Sequence, residues 1–289
     1  MELKFIDVNG IKTSYRDDGR GDPLVLIHGG QYGSHSSSSY SWSTNIKALS
    51  EHFHVYAIDK FGMGDTDIPQ SDSEYVFNRT LSHIYDFLDV IGIEEAGIVG
   101  HSRGALPAVR IAVDHPDRVK AVVVVNSNTM APADPSTKAS FYEDMAKRAA
   151  GTPTLERAQI EAISYSYKTK HITEDYQEEL FRLAQLPKLQ EAKKKMKKLA
   201  GKVFNPSINK AKEQTLDLIR DGRLKTPTLI IWGMNDPSAN VKLGLNLMQI
   251  VGASAHRSQF HVINEAGHFC YREQPAEFNR SVLNFVKNS

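Results

Sequence analysis

The sequence predicts an α/β fold: a mostly parallel central sheet flanked by helices and interrupted by a helical lid. Three observations point there. Short apolar β-type runs recur between helical stretches. One of them, Ala96–Val99, runs straight into Gly100-His101-Ser102-Arg103-Gly104 and then into an apolar helix from Ala105 to Val113. From about Thr129 to Arg223 the strand runs vanish and polar helices take over. Residues 1–128 and 224–289 therefore read as the core, and 129–223 as the lid.

In chain order, Leu24–Ile27 is a buried strand that ends at His28-Gly29-Gly30, and Phe53–Ile58 is a second that ends at Asp59. Tyr75–Gly92 carries Phe77, Leu81, Ile84, Leu88 and Ile91 at helical spacing, one apolar face for packing on a sheet. Val119–Val125 is a further strand, ending Asn126-Ser127-Asn128. Within the lid, Leu155–Tyr167 and Glu174–Leu186 read as polar helices. Lys188–Lys202 reads as a solvated helix whose lysine stems cover apolar surface. Thr226–Gly233 resumes the sheet, Asn240–Val251 is helical and Ser258–Ile263 is the last strand. The serine-rich segment Ser34–Ser43 reads as a mobile loop over the Gly29-Gly30 turn, either solvated or gating.

A strand, then G-x-S-x-G, then a helix is the context of a nucleophile elbow. The glycines flank a serine in a sharp turn where a neighbouring Cβ would meet the passing backbone. A hydroxyl is a weak nucleophile until a base takes its proton and a third group orients that base. In this architecture the chain order is serine, acid, histidine. Asp236 follows the Thr226–Gly233 strand, and His268 follows the Ser258–Ile263 strand. All three lie just past strand ends, where ligand sites of open parallel sheets form. His101 adjoins Ser102 and points away from it at a tight turn, so it is not the expected base. The Val119–Val125 strand ends without a carboxylate, which leaves Asp236 as the acid. The expected triad is Ser102, Asp236 and His268.

The strand into His28-Gly29-Gly30 supplies a turn whose N–H groups can face a developing oxyanion. One such donor lowers a barrier by about 3 kcal/mol. The expected pair is the Gly30 amide and the Arg103 amide, with His28 anchoring the loop. Gly29, His101, Trp42 and Phe269 flank these groups and are expected to contact substrate.

On these residues the chain resembles the α/β-hydrolase fold superfamily over nearly its whole length. Asp59-Lys60-Phe61-Gly62-Met63-Gly64-Asp65-Thr66 is similar to that family's D-x-x-G-x-G-x-S/T turn, and His115-Pro116-Asp117-Arg118-Val119 resembles its link from elbow helix to next strand. The long loop ending Trp42-Ser43-Thr44-Asn45 and the run Gly267-His268-Phe269 look most like meta-cleavage product hydrolases and related esterases. Those enzymes cut a C–C bond in vinylogous diketone acids. They usually carry Asn before the nucleophile and Trp after the histidine, where this chain has His101 and Phe269. The resemblance also implies a lid arginine for the substrate carboxylate, with Arg148, Arg157 and Arg182 as candidates.

Composition agrees. A chain of 289 residues can bury one large core. Thirty-five basic against 34 acidic residues give no reason to expect nucleic acid. There is no apolar stretch of membrane-spanning length and no signal segment, so a cytoplasmic location is expected. The single cysteine, Cys270, cannot form an internal disulfide and reads as a packing thiol. No cofactor or metal is expected, and a homodimer is left open. The expected chemistry is hydrolysis of a small to medium hydrophobic carboxylic ester or lactone. The alternative is C–C cleavage of a meta-cleavage-type diketone acid, and a remote third is a slow-turnover ligand receptor of the same fold.

Overall fold

The structure, a computed structural model, describes residues 2–134 and 140–289. The expected lid span includes 135–139 and the expected core includes residue 1; these lie outside the described residues. The strands are β1 (Lys4–Val8), β2 (Ile11–Asp18), β3 (Pro23–Ile27), β4 (His54–Ile58), β5 (Ala96–His101), β6 (Val119–Val125), β7 (Thr228–Gly233) and β8 (Ser258–Ile263). They form one sheet in the order β1-β2-β4-β3-β5-β6-β7-β8. β2 runs antiparallel to both neighbours, and every other adjacent pair is parallel. Asn9 and Gly10, both at positive φ, make the two-residue turn between β1 and β2.

The helices are α1 (Ile46–Ser50), α2 (Phe77–Val90), α3 (Ala105–Asp114), α4 (Ser140–Arg148), α5 (Leu155–Tyr165), α6 (Glu174–Gln185), α7 (Pro187–Leu199), α8 (Asn205–Arg220), α9 (Val241–Gly252), α10 (Cys270–Glu273) and α11 (Pro275–Lys287). Helices cover both faces of the parallel strands, which explains their unbroken apolar runs. Val25, Ile27, Ile98, Val124 and Ile230 pack to one side with residues of α2, α3, α8 and α9. Leu24, Leu26, Val99, Val123 and Ile231 pack to the other with residues of α1 and α11.

β3 pairs with β4 on one side and β5 on the other. The chain thus reverses its direction of travel across the sheet at β3 and β5, and a crevice opens beyond their carboxyl ends. The register Ile27↔Gly100 brings the His28-Gly29-Gly30 turn beside the elbow. Proximity of these two loops follows from strand order alone.

Between β6 and β7 the described residues contain helices and no strand. Ala158, Ala162, Ile172, Tyr176, Leu180 and Ala184 of α5, α6 and the turn between them form a small core of their own. α7 buries Leu189, Ala192 and Met196 and leaves most of its lysines in solvent. α8 packs on the core, in the same sheet-side cluster that takes Ala192 and Met196 of α7. Its Ile208, Ala211, Leu216 and Ile219 join the sheet-side cluster, so it packs as a flanking helix of the core. Among the described residues no helix is long and apolar enough to cross a membrane.

Candidate active site

Ser102 follows β5 directly and sits at φ +52°, the left-handed region that costs a non-glycine residue strain. The neighbouring glycines make that turn physically feasible. A Cβ on Gly100 would collide with the Gly104 carbonyl, and one on Gly104 would lie 2.5 Å from the Ile27 carbonyl oxygen. The Ser102 carbonyl accepts a 2.7 Å hydrogen bond from Ser127 Oγ, which ties the elbow to the end of β6. The Ser102 hydroxyl remains partly exposed.

Asp236 and His268 leave adjacent strand ends and meet. His268 Nδ1 lies 2.7 Å from Asp236 Oδ2. That carboxylate is fully engaged. Oδ2 also accepts from Asn126 Nδ2 at 2.7 Å. Oδ1 accepts from Ser238 N, Ser238 Oγ and Ala239 N at 2.7–2.9 Å. Burial by itself would raise the Asp236 carboxyl; the charge and hydrogen bond of His268, with Asn126 and Ser238, outweigh it and hold the group below its ordinary value. An ionised Asp236 can only accept, so Nδ1 of His268 carries the proton between them, and Nε2 is the ring nitrogen left for another partner. The His268 ring stacks on Tyr165 with centroids 4.8 Å apart, and its backbone N–H donates to the Tyr165 carbonyl at 2.9 Å. His268 is therefore positioned from the core by Asp236 and from α5 by Tyr165.

The Gly29-Gly30 turn approaches the serine closely. A Cβ on Gly29 would sit 2.9 Å from Ser102 Cβ, and Gly30 lies at φ +74°. His28 is buried beneath this turn, its Nδ1 2.8 Å from the Gly29 carbonyl and its Nε2 accepting from Lys60 N at 3.2 Å. Burial, with the charge of Lys60, pushes His28 well below its ordinary value, so it is a neutral anchor.

The expected substrate contacts are distributed unevenly. Gly29 is at the serine. His101 is buried, and its Nε2–H donates to the His268 carbonyl at 3.0 Å, which leaves Nδ1 as an unpartnered acceptor. Trp42 and Phe269 sit in aromatic packing. Trp42 is fully buried 4.2 Å from Tyr271, and Phe269 packs against His101 and Tyr165. Neither lines the cavity described next. The serine-rich segment is corrected. Ser36, Ser37, Ser38, Ser39 and Ser41 are buried, and Ser38 caps a 3-10 turn over Ser39–Trp42. Buried Asp59 holds this segment by accepting from Ser39 N and Ser14 Oγ.

A small cavity abuts the Gly30 and Arg103 ends of the site. Phe61, Phe77, Phe204 and Ile208 give it apolar walls, and Lys60 and Arg103 also line it. Phe204 reaches it from a π-helical turn, Ala200–Phe204, between α7 and α8. Gly33 lets α7 close over the loop, since a Cβ there would press on the backbone of Ala192 and Lys193. Among the described residues no three His, Cys, Asp or Glu side chains are grouped to hold a metal ion. Cys270 is a buried thiol whose Sγ lies 3.1 Å from Asn126 Oδ1, and burial pushes it well above its ordinary value.

Fold and site together define a class. The profile of the alpha/beta hydrolase fold family matches residues 22–275, and the chain belongs to that family. The protein is an enzyme, a hydrolase. Over 98% of its length, and 90% of the relative's, it is 25% identical to a 2-hydroxy-6-oxo-6-(2'-aminophenyl)hexa-2,4-dienoic acid hydrolase of Metapseudomonas resinovorans. It is 28% identical to a 2-hydroxy-6-oxononadienedioate/2-hydroxy-6-oxononatrienedioate hydrolase of Cupriavidus pinatubonensis, over 99% of this chain and 95% of that one. A solved meta-cleavage product hydrolase from Pseudomonas fluorescens IP01 superposes with a TM-score of 0.78 at 28% identity, covering 99% of this chain and 97% of its own.

Proposed function

We propose that this enzyme is a C–C bond hydrolase of 2-hydroxy-6-oxodienoate acids, working through Ser102, His268 and Asp236. The observation that carries the reading is the Asp236–His268 pair, set with its strained serine in a chain whose similarity to dienoate hydrolases runs end to end. Those relatives favour C–C cleavage over the ester or lactone that the triad alone suggests.

Ser102 Oγ attacks the ketone carbon as His268 Nε2 takes its proton, and the imidazolium is stabilised by Asp236. The amides of Gly30 and Arg103 receive the oxyanion. Collapse of the tetrahedral adduct breaks the bond to the adjacent carbon. This requires the 2-oxo tautomer, formed beforehand by moving the 2-hydroxyl proton to that carbon; the carbon then leaves with the electron pair delocalised through the chain onto the 2-oxo oxygen, and the dienolate takes back the proton held by His268. Water, deprotonated by the same histidine, then releases the acyl group as a carboxylic acid. The 129–223 insertion acts as a lid that keeps water out of the cavity, and the enzyme works in the cytoplasm on a small, largely hydrophobic substrate.

The test compares a chromogenic dienoate with a short p-nitrophenyl ester on wild type and Ser102→Ala. Faster turnover of the dienoate is expected, with at least a 10³-fold loss in Ser102→Ala for both substrates. Fast ester hydrolysis with an inert dienoate would return the enzyme to the esterases.

A further inference from the structure

Two cations face the cavity beside the oxyanion loop with no counter-ion among the described residues. Lys60 follows β4 and is 3% exposed; its Nζ donates to the Gly30 carbonyl at 3.0 Å. The Arg103 guanidinium stands 5.9 Å over the Phe204 ring and makes no hydrogen bond or ion pair among the described residues. Both line the cavity, and no carboxylate does. Asp59, next to Lys60 in the chain, spends its oxygens on Ser14, Ser39 and Asp65 N–H and O–H groups. Burial, with the charge of Arg103, pushes Lys60 down to about 7. An uncompensated buried charge is expensive, and a fold keeps one where a ligand supplies the partner.

The lid arginines that the sequence suggested for a substrate carboxylate are occupied elsewhere. Arg182 bonds Asp65 and Glu179, Arg148 bonds Ser164, and Arg157 bonds the Thr152 carbonyl. Arg103 occupies the position just after the nucleophile, so its amide and its guanidinium serve different atoms.

We infer that Lys60 and Arg103 form a carboxylate-binding subsite of the substrate pocket, built on the core at the oxyanion loop instead of on the lid. This inference rests on the dienoate reading. Two carboxylates could fill the subsite: the one at C1, common to all such acids, and the distal one found only in the dioic acids.

Lys60→Met and Arg103→Gln are compared with wild type on a phenyl-substituted dienoate, its methyl ester and a dioic analogue. A rise in KM of tenfold or more for the phenyl dienoate, larger than any change for its methyl ester, places the C1 carboxylate here. The same rise confined to the dioic substrate places the distal carboxylate here. Lys60→Arg should restore part of the loss, and thermal unfolding identifies a variant that is merely misfolded. Equal losses on acid and methyl ester in both folded variants would overturn the inference and leave Lys60 as a prop for Gly30. If wild type cleaves no dienoate, the proposed function fails on its own. The subsite is then tested with p-nitrophenyl hydrogen glutarate against p-nitrophenyl pentanoate. Preference for the acid that disappears in the variants sustains it, and no preference overturns it.

Discussion

Asp236 and Lys60 are both buried charges at the ends of sheet strands, a few residues of loop from the serine, yet their surroundings are opposite. Asp236 receives four hydrogen-bond donors and a histidine. Lys60 has one carbonyl and, for a neighbour, another cation. The first arrangement is complete before any substrate arrives, as orientation of a general base requires. The second would be completed by the anion proposed above. On the proposed roles, catalytic and recognition groups differ here in whether the protein itself satisfies them.

The largest effect should come from disturbing the satisfied side. Asp236→Asn places an amide where every contact on the carboxylate is a donor, and it favours the wrong tautomer of His268. A loss of about 10⁴-fold in kcat with little change in KM is expected, measured on whichever substrate proves best. A loss below tenfold would mean that His268 is oriented by Tyr165 alone.

Lys60→Met probes the unsatisfied side, with an intermediate effect of opposite sign on stability. Removing a buried ammonium should stabilise the free enzyme by about 1–2 kcal/mol after the lost bond to Gly30 is subtracted, seen as a Tm rise of a few degrees. The pH dependence has a definite sign. The folded-state value near 7 lies below the unfolded value of 10.5. Between those values the unfolded chain binds more protons, so wild-type stability rises with pH. The advantage of Lys60→Met is therefore full below pH 7 and shrinks above it. A destabilised variant at pH 6 would erase the contrast drawn here.

The smallest effect belongs to a charge satisfied at the surface. Arg182 bridges α6 to Asp65 with its side chain 42% exposed. Arg182→Ala should cost less than about 1 kcal/mol and leave kcat/KM within about twofold. A large loss of dienoate affinity would instead restore it as the carboxylate anchor.

What was legible in the sequence divides along a similar line. The elbow, the Gly29-Gly30 turn and the order Ser102, Asp236, His268 could be read because strand ends and glycine turns are local properties of the chain. Strands β5, β6 and β7 were legible as apolar runs for the same reason. Asn126 was passed over because that strand end was searched for a carboxylate, and its amide proved to hold Asp236. Lys60 lay inside a recognised turn motif that gave no hint of its burial. The serine-rich segment misled because its hydroxyls and amides find partners in one another and in Asp59, which is remote in sequence. α8 continues the helical pattern of the insertion, and only tertiary contact shows that its apolar stripe belongs to the core.

The docking of α5 on the histidine loop carries a last consequence. Tyr165 receives the His268 N–H, while the Glu273 carboxylate gathers the N–H groups of Tyr167, Lys168 and Gly267. Three bonds join the insertion to the His268 loop and α10 at this corner, and the Gly267 bond ties Glu273 to that loop, so lifting the corner would slacken His268. On the roles proposed above for Ser102 and His268, an enzyme opened at this corner would be idle, and a stray ester drifting past would meet an unarmed serine.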